Sequence, residues 1–151
     1  MIVFNKKNDL LCFLNKERKN KSVGFVPTMG GLHSGHLQLV KLSLKECNIT
    51  ICSIFINPTQ FNNIDDFKQY PNTLTEDLSQ LKEIGCEIVY NPAVEDLYDK
   101  NEKAKKFTFG SLSKYMEGQF RPGHFDGMAT VVEKFFNIIK PTKAFFGYKD
   151  L

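Results

Sequence analysis

Hydrophobic positions in this chain follow two patterns: short apolar runs, and longer stretches in which apolar residues recur every three or four positions. The short runs are rich in Val, Ile and Phe and are bounded by polar or turn-forming residues, which predicts buried β-strands. They cover residues 23–26, 49–56, 87–90 and 144–146. The run 49–56 is nearly continuous, as is typical of a parallel strand covered on both faces. Because Pro27 has no N–H to donate, we predict that strand pairing ends after Val26.

Helical spacing marks four other segments. Asn8 is placed to cap a first helix, which carries Leu10, Leu11 and Leu14 on one face. A second helix follows Gly35, and its apolar residues at positions 37, 40 and 44 recur at helical spacing. The last of the four is an amphipathic helix over residues 128–139.

The remaining helical segment opens at Thr73 and runs through Ile84 to a closing Gly85. The order Thr-Leu-Thr-Glu at its start is typical of a capping box, in which the first and fourth side chains bond to each other's backbone N–H groups. We expect Glu76 and Asp77 to serve the positive end of this helix, and a magnesium-binding role for the two carboxylates is the alternative.

Strands and helices therefore alternate along the chain. This order predicts an α/β fold: a mostly parallel sheet with helices on both faces, joined by right-handed crossovers. Between the third strand and the last helix, residues 94–106 are polar and turn-like. A short strand at 107–109 and a helical turn at 112–116 are predicted to follow them.

The composition narrows the classes of function. The chain has 151 residues, enough for one domain with a hydrophobic core, and a net charge of +3, too small to indicate a nucleic-acid-binding protein. The basic cluster at 16–21 is interpreted as a solvated helix end. We expect no signal peptide, because residues 1–5 lack a basic-then-apolar layout. The longest apolar run is far too short to cross a bilayer.

The four cysteines, at positions 12, 47, 52 and 86, show no C-x-x-C pair and no metal-ligand spacing. Each sits among apolar neighbours. We therefore predict reduced cysteines in the core of a cytosolic protein.

A glycine-rich loop after the first predicted strand is the strongest candidate for chemistry. Gly30 and Gly31 allow backbone angles that other residues resist and let a ligand approach the main chain closely. The helix that follows offers unpaired N–H groups and a partial positive charge, where a phosphate fits. His33 and His36 are three residues apart and point to one side of that first turn, with Gly35 leaving room for a nucleotide.

Two further stretches carry polar groups near strand ends. Asn57 and Gln60 follow the run 49–56, and two interpretations are open: turn formation, or amides offered to a small polar substrate. Residues 147–150, Gly-Tyr-Lys-Asp, follow the last strand, where the lysine would meet phosphates and the aspartate a ribose hydroxyl. The segment 118–127, rich in glycine, is either a flexible lid or a rigid turn.

Several motifs together resemble pantothenate synthetases over nearly the whole chain. The H-x-G-H element alone is shared by many nucleotidyl transferases, whereas its combination with I-N-P-x-Q-F and F-G-x-K-D at these separations is highly specific. The matching segments are Pro27–Leu37, Ser53–Phe61, Tyr70–Pro71, Gly118, Arg121–Phe125 and Phe146–Asp150.

The resemblance implies a Rossmann-like, doubly wound fold of the H-x-G-H nucleotidyl transferase type. It implies an ATP-dependent ligase that joins pantoate to β-alanine through a pantoyl adenylate, with AMP and pyrophosphate as products. Magnesium (Mg2+), a cytoplasmic location and a homodimer of the full-length protein are part of the same expectation.

The resemblance also implies roles for individual residues. His36 is expected to be the active-site proton donor, His33 to assist at the phosphates, and Lys149 to meet a phosphate. Gln60 is expected to bind pantoate and β-alanine, with Asn57 nearby. For Arg121 and His124, the expected role is the support of a loop or of a subunit contact. The ATP-binding residues would be Met29, Gly30, Gly31, Leu32, His33, Ser34, Gly35, His36, Gly147, Tyr148, Lys149 and Asp150.

The chain departs from the family pattern in its length. Family members continue for roughly another domain, with a glutamine that touches pantoate and a serine- and arginine-containing loop over ATP. We therefore expect residues 1–151 to be an amino-terminal nucleotide- and pantoate-binding domain that binds ATP feebly and turns over weakly or not at all. The alternatives are another H-x-G-H nucleotidyl transferase, which attaches AMP or CMP, and a non-catalytic nucleotide-binding fragment.

Overall fold

A computed structural model of the chain describes residues 1–58, 64–70, 72–98 and 124–147. These residues form five strands and six helices that alternate along most of the chain. In order they are β1 Ile2–Phe4, α1 Lys7–Glu17, β2 Val23–Thr28, α2 Ser34–Glu46, β3 Ile49–Ile54, α3 Ile64–Gln69, α4 Leu74–Glu83, β4 Ile88–Tyr90, α5 Val94–Leu97, α6 His124–Ile139 and β5 Lys143–Ala144.

The strands form one sheet in the order β1-β4-β3-β2-β5, and every pairing among the described strands is parallel. The central pair β2 and β3 is in register from Val23 opposite Ile49 to Thr28 opposite Ile54. Both strands therefore end side by side at the carboxyl edge of the sheet. The α/β prediction with a parallel sheet is confirmed.

Each face of the sheet has its own hydrophobic core. One face packs against α1 and α6, and the other against α2 and α4. Strand β3 divides its side chains between the two, with Ile49 and Ile51 on the first face and Cys52 and Ile54 on the second. This division explains the nearly continuous apolar run, because a strand covered on both faces has no side for polar residues. None of the helices in the described ranges is long and apolar enough to span a membrane.

The prediction that Pro27 ends strand pairing is wrong, because β2 continues through Pro27, opposite Ser53, to Thr28. The carbonyl groups of Val23 and Phe25 accept hydrogen bonds from the segment around β5, at 2.8 and 2.9 Å. Alternate residues of a strand direct their backbone groups to the same neighbour. Pro27, like Val23 and Phe25, therefore turns its nitrogen away from β3. The pairing with β5 has already ended at Phe25, so the missing N–H of proline costs no bond of the sheet.

Other boundaries also differ from the predictions. Helix α1 begins at Lys7, so Asn8 lies inside it and not at its cap. Strand β3 ends at Ile54, α6 begins at His124, and β5 has only two residues. Strand β1 and helix α3 were not predicted, and the predicted elements at 107–109 and 112–116 lie outside the described residues.

Tertiary contacts explain α5 and β1, two elements that the sequence pattern did not predict. Residues 94–97, predicted as turn-like, form α5, whose Asp96 carboxylate accepts hydrogen bonds from the Tyr90 hydroxyl at 2.6 Å and the Lys7 backbone N–H at 2.7 Å. Strand β1 exposes 44% of Ile2 and 36% of Val3, so no buried face marks it in the sequence. Its pairing with β4 is what defines it.

The cysteines are free thiols, and three of them are buried as predicted. Cys12 is exposed on α1, so the prediction of a core position is wrong for this residue. Cys52 and Cys86 lie in the core beside α2 and α4, where burial raises the pKa of Cys86 to about 11 and that of Cys52 well above its ordinary value.

The raised thiol pKa values predict a loss of stability in alkali. An unfolded cysteine ionises near pH 9, whereas folded Cys86 keeps its proton to about pH 11, so the stability present below pH 9 falls as the pH rises between these values. We expect a loss on the order of 2 kcal/mol from Cys86. Urea unfolding at pH 8 and pH 10.5 under reducing conditions measures it. Cys86→Ala should show a smaller difference between the two pH values, and an equal difference would contradict the assignment.

Candidate functional site

The segment Met29–His33 joins the carboxyl end of β2 to α2 and is called the glycine loop here. Its first turn is tied to the sheet through Thr28, which is 8% exposed. The Thr28 hydroxyl donates to the Ser53 carbonyl of β3 at 2.8 Å and accepts from the Gly30 N–H at 3.2 Å. The two central strands therefore determine where the glycine loop begins.

Both glycines of the loop adopt backbone angles that favour glycine, with φ of +84° at Gly30 and +62° at Gly31. A Cβ atom at Gly30 would lie 3.1 Å from a carboxylate oxygen of Asp77, whereas a Cβ at Gly31 would meet nothing within 4 Å. The predicted use of glycine for unusual backbone angles is therefore confirmed, and at Gly30 the space is restricted as well.

This difference predicts unequal effects of alanine at the two positions. Gly31→Ala should lower the free energy of unfolding by about 1 kcal/mol, the cost of the left-handed conformation alone. Gly30→Ala should lower it by about 2 kcal/mol or more, because the new methyl group also crowds Asp77. Urea unfolding of the two variants measures the difference, and equal losses would contradict the crowding at Gly30.

His33 and His36 lie together at the first turn of α2. The Nδ1 atom of His33 accepts a hydrogen bond from the Gly35 N–H at 3.0 Å, and the Nδ1 atom of His36 accepts one from the His33 N–H at 3.2 Å. Their ring centroids are 4.0 Å apart. Two imidazoles thus perform the reciprocal capping that a serine and a glutamate perform in a capping box.

These hydrogen bonds determine which nitrogen of each ring carries the proton. A neutral imidazole has one donor and one acceptor nitrogen, and Nδ1 is the acceptor in both His33 and His36. The proton of each neutral ring is therefore on Nε2. The pair presents two Nε2–H donors, on one exposed and one partly exposed side chain. The first turn of α2 has no acidic residue to offset its partial positive charge, so the arrangement suits an anion.

Asp77 of α4 belongs to this site, and its contact with the glycine loop was not predicted from the sequence. Its Oδ2 atom accepts from the Gly31 N–H at 3.1 Å and its Oδ1 atom from the Leu32 N–H at 3.0 Å, while its side chain is 1% exposed. The Thr73 hydroxyl donates to Oδ2 at 3.0 Å and lies 3.1 Å from the Gly31 nitrogen, from which it also accepts.

The predicted capping box of α4 is therefore wrong. The Thr73 side chain makes no cap hydrogen bond to its own helix, and Asp77 serves the glycine loop instead of the helix N-terminus. The local signal was the four-residue spacing of Thr73 and Asp77, which places both side chains on one side of the helix. That spacing does not reveal which distant segment they meet.

Asn57 follows β3 and is fully buried. Its side-chain amide donates to the Gly127 carbonyl of α6 at 2.9 Å. Asn57 thus ties the end of β3 to α6, which packs on the face of the sheet opposite α2 and α4. The prediction that Asn57 meets a substrate stays a prediction. Gln60, its predicted companion, lies outside the described residues.

The second predicted nucleotide segment is described only at its first residue. Gly147 follows β5, beyond the point where the Phe145 N–H donates to the Phe25 carbonyl of β2 at 2.9 Å. This bond places the start of the segment at the same edge of the sheet as the glycine loop. Tyr148, Lys149 and Asp150 lie outside the described residues, as do Arg121 and most of the segment 118–127. Within the described ranges, no group of three or more His, Cys, Asp or Glu side chains could hold a metal ion.

Comparison with known proteins places the chain in a family. The sequence profile of pantoate–β-alanine ligase matches residues 2–151. The pantothenate synthetase of Flavobacterium psychrophilum is 49% identical over 152 residues, which cover 99% of this chain and 54% of that protein. The pantothenate synthetase of Aquifex aeolicus is 49% identical over 150 residues, which cover 99% of this chain and 53% of the relative.

Solved structures agree with the sequence comparison. The crystal structure of pantoate–β-alanine ligase from Francisella tularensis, complexed with β-γ ATP and β-alanine, superposes with a TM-score of 0.87 at 40% identity and covers 95% of this chain and 55% of that one. Pantothenate synthetase from Thermus thermophilus gives a TM-score of 0.86 at 38% identity, over 99% of this chain and 54% of that one. The chain spans about half the length of these relatives. It belongs to the pantoate–β-alanine ligase family, and its sheet and helices form the Rossmann-like fold of these proteins.

Proposed function

We propose that residues 1–151 are the amino-terminal, nucleotide- and pantoate-binding domain of a pantothenate synthetase. The observation that carries the proposal is the reciprocal capping of α2 by His33 and His36, which uses Nδ1 of each ring as the acceptor and leaves Nε2–H as the donor of each neutral imidazole. Family membership supports the identity of the substrates, and the β-γ ATP and β-alanine named for the Francisella tularensis structure support two of the three proposed substrates.

The proposed reaction has two steps. A carboxylate oxygen of pantoate forms a bond to the α-phosphorus of ATP, and the bond from that phosphorus to the oxygen bridging it to the β-phosphate breaks, releasing pyrophosphate. The amine of β-alanine then attacks the acyl carbon of pantoyl adenylate and displaces AMP, losing a proton to form the amide of pantothenate. Negative charge grows on the leaving pyrophosphate in the first step.

The two imidazoles are proposed to stabilise this growing charge. Hydrogen-bond donors that are already aimed at the leaving group need no rearrangement when charge develops, which lowers the barrier. His36 would give a proton or a hydrogen bond from Nε2, and His33 would donate to a neighbouring phosphate oxygen. The partial positive charge at the start of α2 acts in the same direction.

The remaining binding residues are proposed from the family pattern. The segment from Met29 to His36 would line one side of ATP, and the segment from Gly147 to Asp150 the other, with Lys149 at a phosphate. Gln60 would bind pantoate and β-alanine. Asn57 would take part from a buried position, where it already holds α6 against the end of β3.

We expect Mg2+ to accompany ATP. We also expect the full-length protein to be a homodimer and to be located in the cytoplasm. The described residues contain no group of three or more His, Cys, Asp or Glu side chains that could hold a metal ion by themselves. The acidic side chain that lies on the glycine loop, Asp77, directs both oxygens to backbone N–H groups. We therefore assign no metal ligand among the described residues.

Exchange of labelled pyrophosphate into ATP tests the proposed reaction. With the protein expressed from its full reading frame, exchange should require pantoate and should not require β-alanine, because the first step alone is reversible. Exchange that ignores pantoate would favour another nucleotidyl transferase of the H-x-G-H group. The chain of 151 residues should bind ATP more weakly than the longer protein and show little or no exchange. Binding of ATP without any exchange in the longer protein would favour a non-catalytic nucleotide-binding role.

A further inference from the structure

We propose that Asp77 is a positioning residue of the active site: its buried carboxylate holds the glycine loop in the shape that places His33 and His36 at the phosphates. The proposal rests on the proposed function for the identity of the reaction. It assigns Asp77 no contact with substrate. It also assigns the N–H groups of Gly31 and Leu32 to protein and not to ATP, although they lie in the predicted nucleotide-binding segment.

The Asp77 carboxylate is buried and fully engaged in hydrogen bonds to the loop and to Thr73. Asp77 is 1% exposed and accepts three hydrogen bonds, from the N–H groups of Gly31 and Leu32 and from the Thr73 hydroxyl, all between 3.0 and 3.1 Å. A buried carboxylate is costly unless it is well hydrogen-bonded, and hydrogen bonds to a charged acceptor are stronger than neutral ones. The two loop amides are therefore held by one rigid group.

The glycine loop also packs closely against that carboxylate. A Cβ atom at Gly30 would lie 3.1 Å from the Asp77 Oδ2 atom, so the loop passes as close as a glycine permits. Leu32, between the held amides and the histidines, is 8% exposed and packs in the core beside α2 and α4. The next residue, His33, is the N-cap of α2. A displacement of Leu32 would therefore move the capping pair directly.

The hydrogen bonds at position 77 also require a side chain whose two outer atoms both accept. An asparagine at position 77 keeps the shape but replaces one acceptor oxygen with an NH2 donor. Whichever way that amide is turned, its donor faces the N–H of Gly31 or of Leu32. Thr73 reinforces the same geometry, since its hydroxyl bridges Asp77 and the Gly31 nitrogen.

The test compares four variants of the full-length protein: Asp77→Asn, Thr73→Val, Glu83→Gln and Leu81→Val. Glu83 is an exposed residue of the same helix. Its replacement by glutamine removes the same charge as Asp77→Asn, so Glu83→Gln is the matched control. Leu81 is fully buried in α4, and its truncation lowers stability without removing a polar contact to the loop. Each variant is assayed for pantoate-dependent exchange, for the KM values of ATP and β-alanine, and for the melting temperature.

Asp77→Asn should raise the KM of ATP or lower the exchange rate about tenfold or more, because small misplacements of catalytic groups have large effects on rate. Thr73→Val should show a smaller loss of the same kind. The KM of β-alanine should change by less than about twofold in both, which separates a displaced nucleotide loop from general damage. Glu83→Gln and Leu81→Val should remain within about twofold of wild type below their melting temperatures.

Amide hydrogen exchange, followed by NMR, gives a readout that does not depend on activity. The Gly31 and Leu32 amides should exchange slowly in wild type and at least tenfold faster in Asp77→Asn, but not in Glu83→Gln. If wild type shows no pantoate-dependent exchange of pyrophosphate, the proposed function fails, and Asp77 is still judged by these amides and by the Kd of ATP. The positioning role would be overturned if Asp77→Asn changed neither the exchange rates of these two amides nor the Kd of ATP. Equal losses of activity in Asp77→Asn and Leu81→Val would also overturn it.

Discussion

Replacement of His36 by alanine is expected to lower the rate of pantoate-dependent pyrophosphate exchange by about 100- to 1,000-fold, the typical cost of removing one donor aimed at developing charge. The variant loses the Nε2–H donor and also the Nδ1 acceptor that caps the His33 N–H. Exchange kinetics at saturating ATP and pantoate measure the effect. A loss smaller than about threefold would contradict a role for His36 in stabilising the leaving group.

A second variant separates the two tasks of His36. Glutamate at the third position of a helix accepts from the N-cap N–H in ordinary capping boxes, but an ionised glutamate has no hydrogen to donate. His36→Glu should therefore melt within a few degrees of wild type and remain as inactive as His36→Ala. Recovery of activity in His36→Glu would mean that capping, and not donation to phosphate, accounts for the loss. Gln38→Ala, an exposed position of the same helix, should behave as wild type.

The largest loss of stability is expected for Gly24→Ala. A Cβ atom at Gly24 would lie 2.0 Å from the Ser43 hydroxyl oxygen and 3.0 Å from the Cys47 sulfur. Ser43 is fully buried and its hydroxyl is bonded to that of Thr50 at 2.8 Å, so it cannot turn away at little cost. We expect a loss of about 3 kcal/mol, at the upper end for an overpacked core, or a melting temperature lower by on the order of 10 °C.

The double variant Gly24→Ala with Ser43→Ala tests the cause of that loss. Removing the hydroxyl opens the space that the new methyl group needs, although it leaves the Thr50 hydroxyl without this partner at a cost of about 1 kcal/mol. The double variant should therefore be more stable than the sum of the single losses predicts. Strict additivity in urea unfolding would contradict the clash between α2 and β2.

Local patterns in the sequence were sufficient for much of the fold. The alternation of apolar runs with helical spacing predicted a parallel α/β sheet, because each strand and each helix must bury a face whose period is visible along the chain. The glycine loop was predicted for a similar reason, since a glycine pair before a helix is a local signal for positive φ. The spacing of His33 and His36 likewise required only the geometry of one helical turn.

Several errors arose where a contact is distant in sequence. Pro27 remains within β2 because its nitrogen faces away from β3, which depends on the order of strands in the sheet. The amides held by Asp77 lie 45 and 46 residues before it, and the Gly127 carbonyl bonded by Asn57 lies 70 residues after that asparagine. Pairs at such separations leave no periodic signal in a single sequence.

By itself, the sequence determined the periods of its strands and helices and the two imidazoles at the start of α2. It also determined the positions where glycine permits a positive φ. These are properties of neighbouring residues, and steric and hydrogen-bonding rules act on them directly. Only the tertiary structure decided that α4 would deliver a buried carboxylate to the glycine loop and that an asparagine would tie β3 to α6. Those pairings depend on which faces of the sheet the helices cover, and so on the packing of the whole chain.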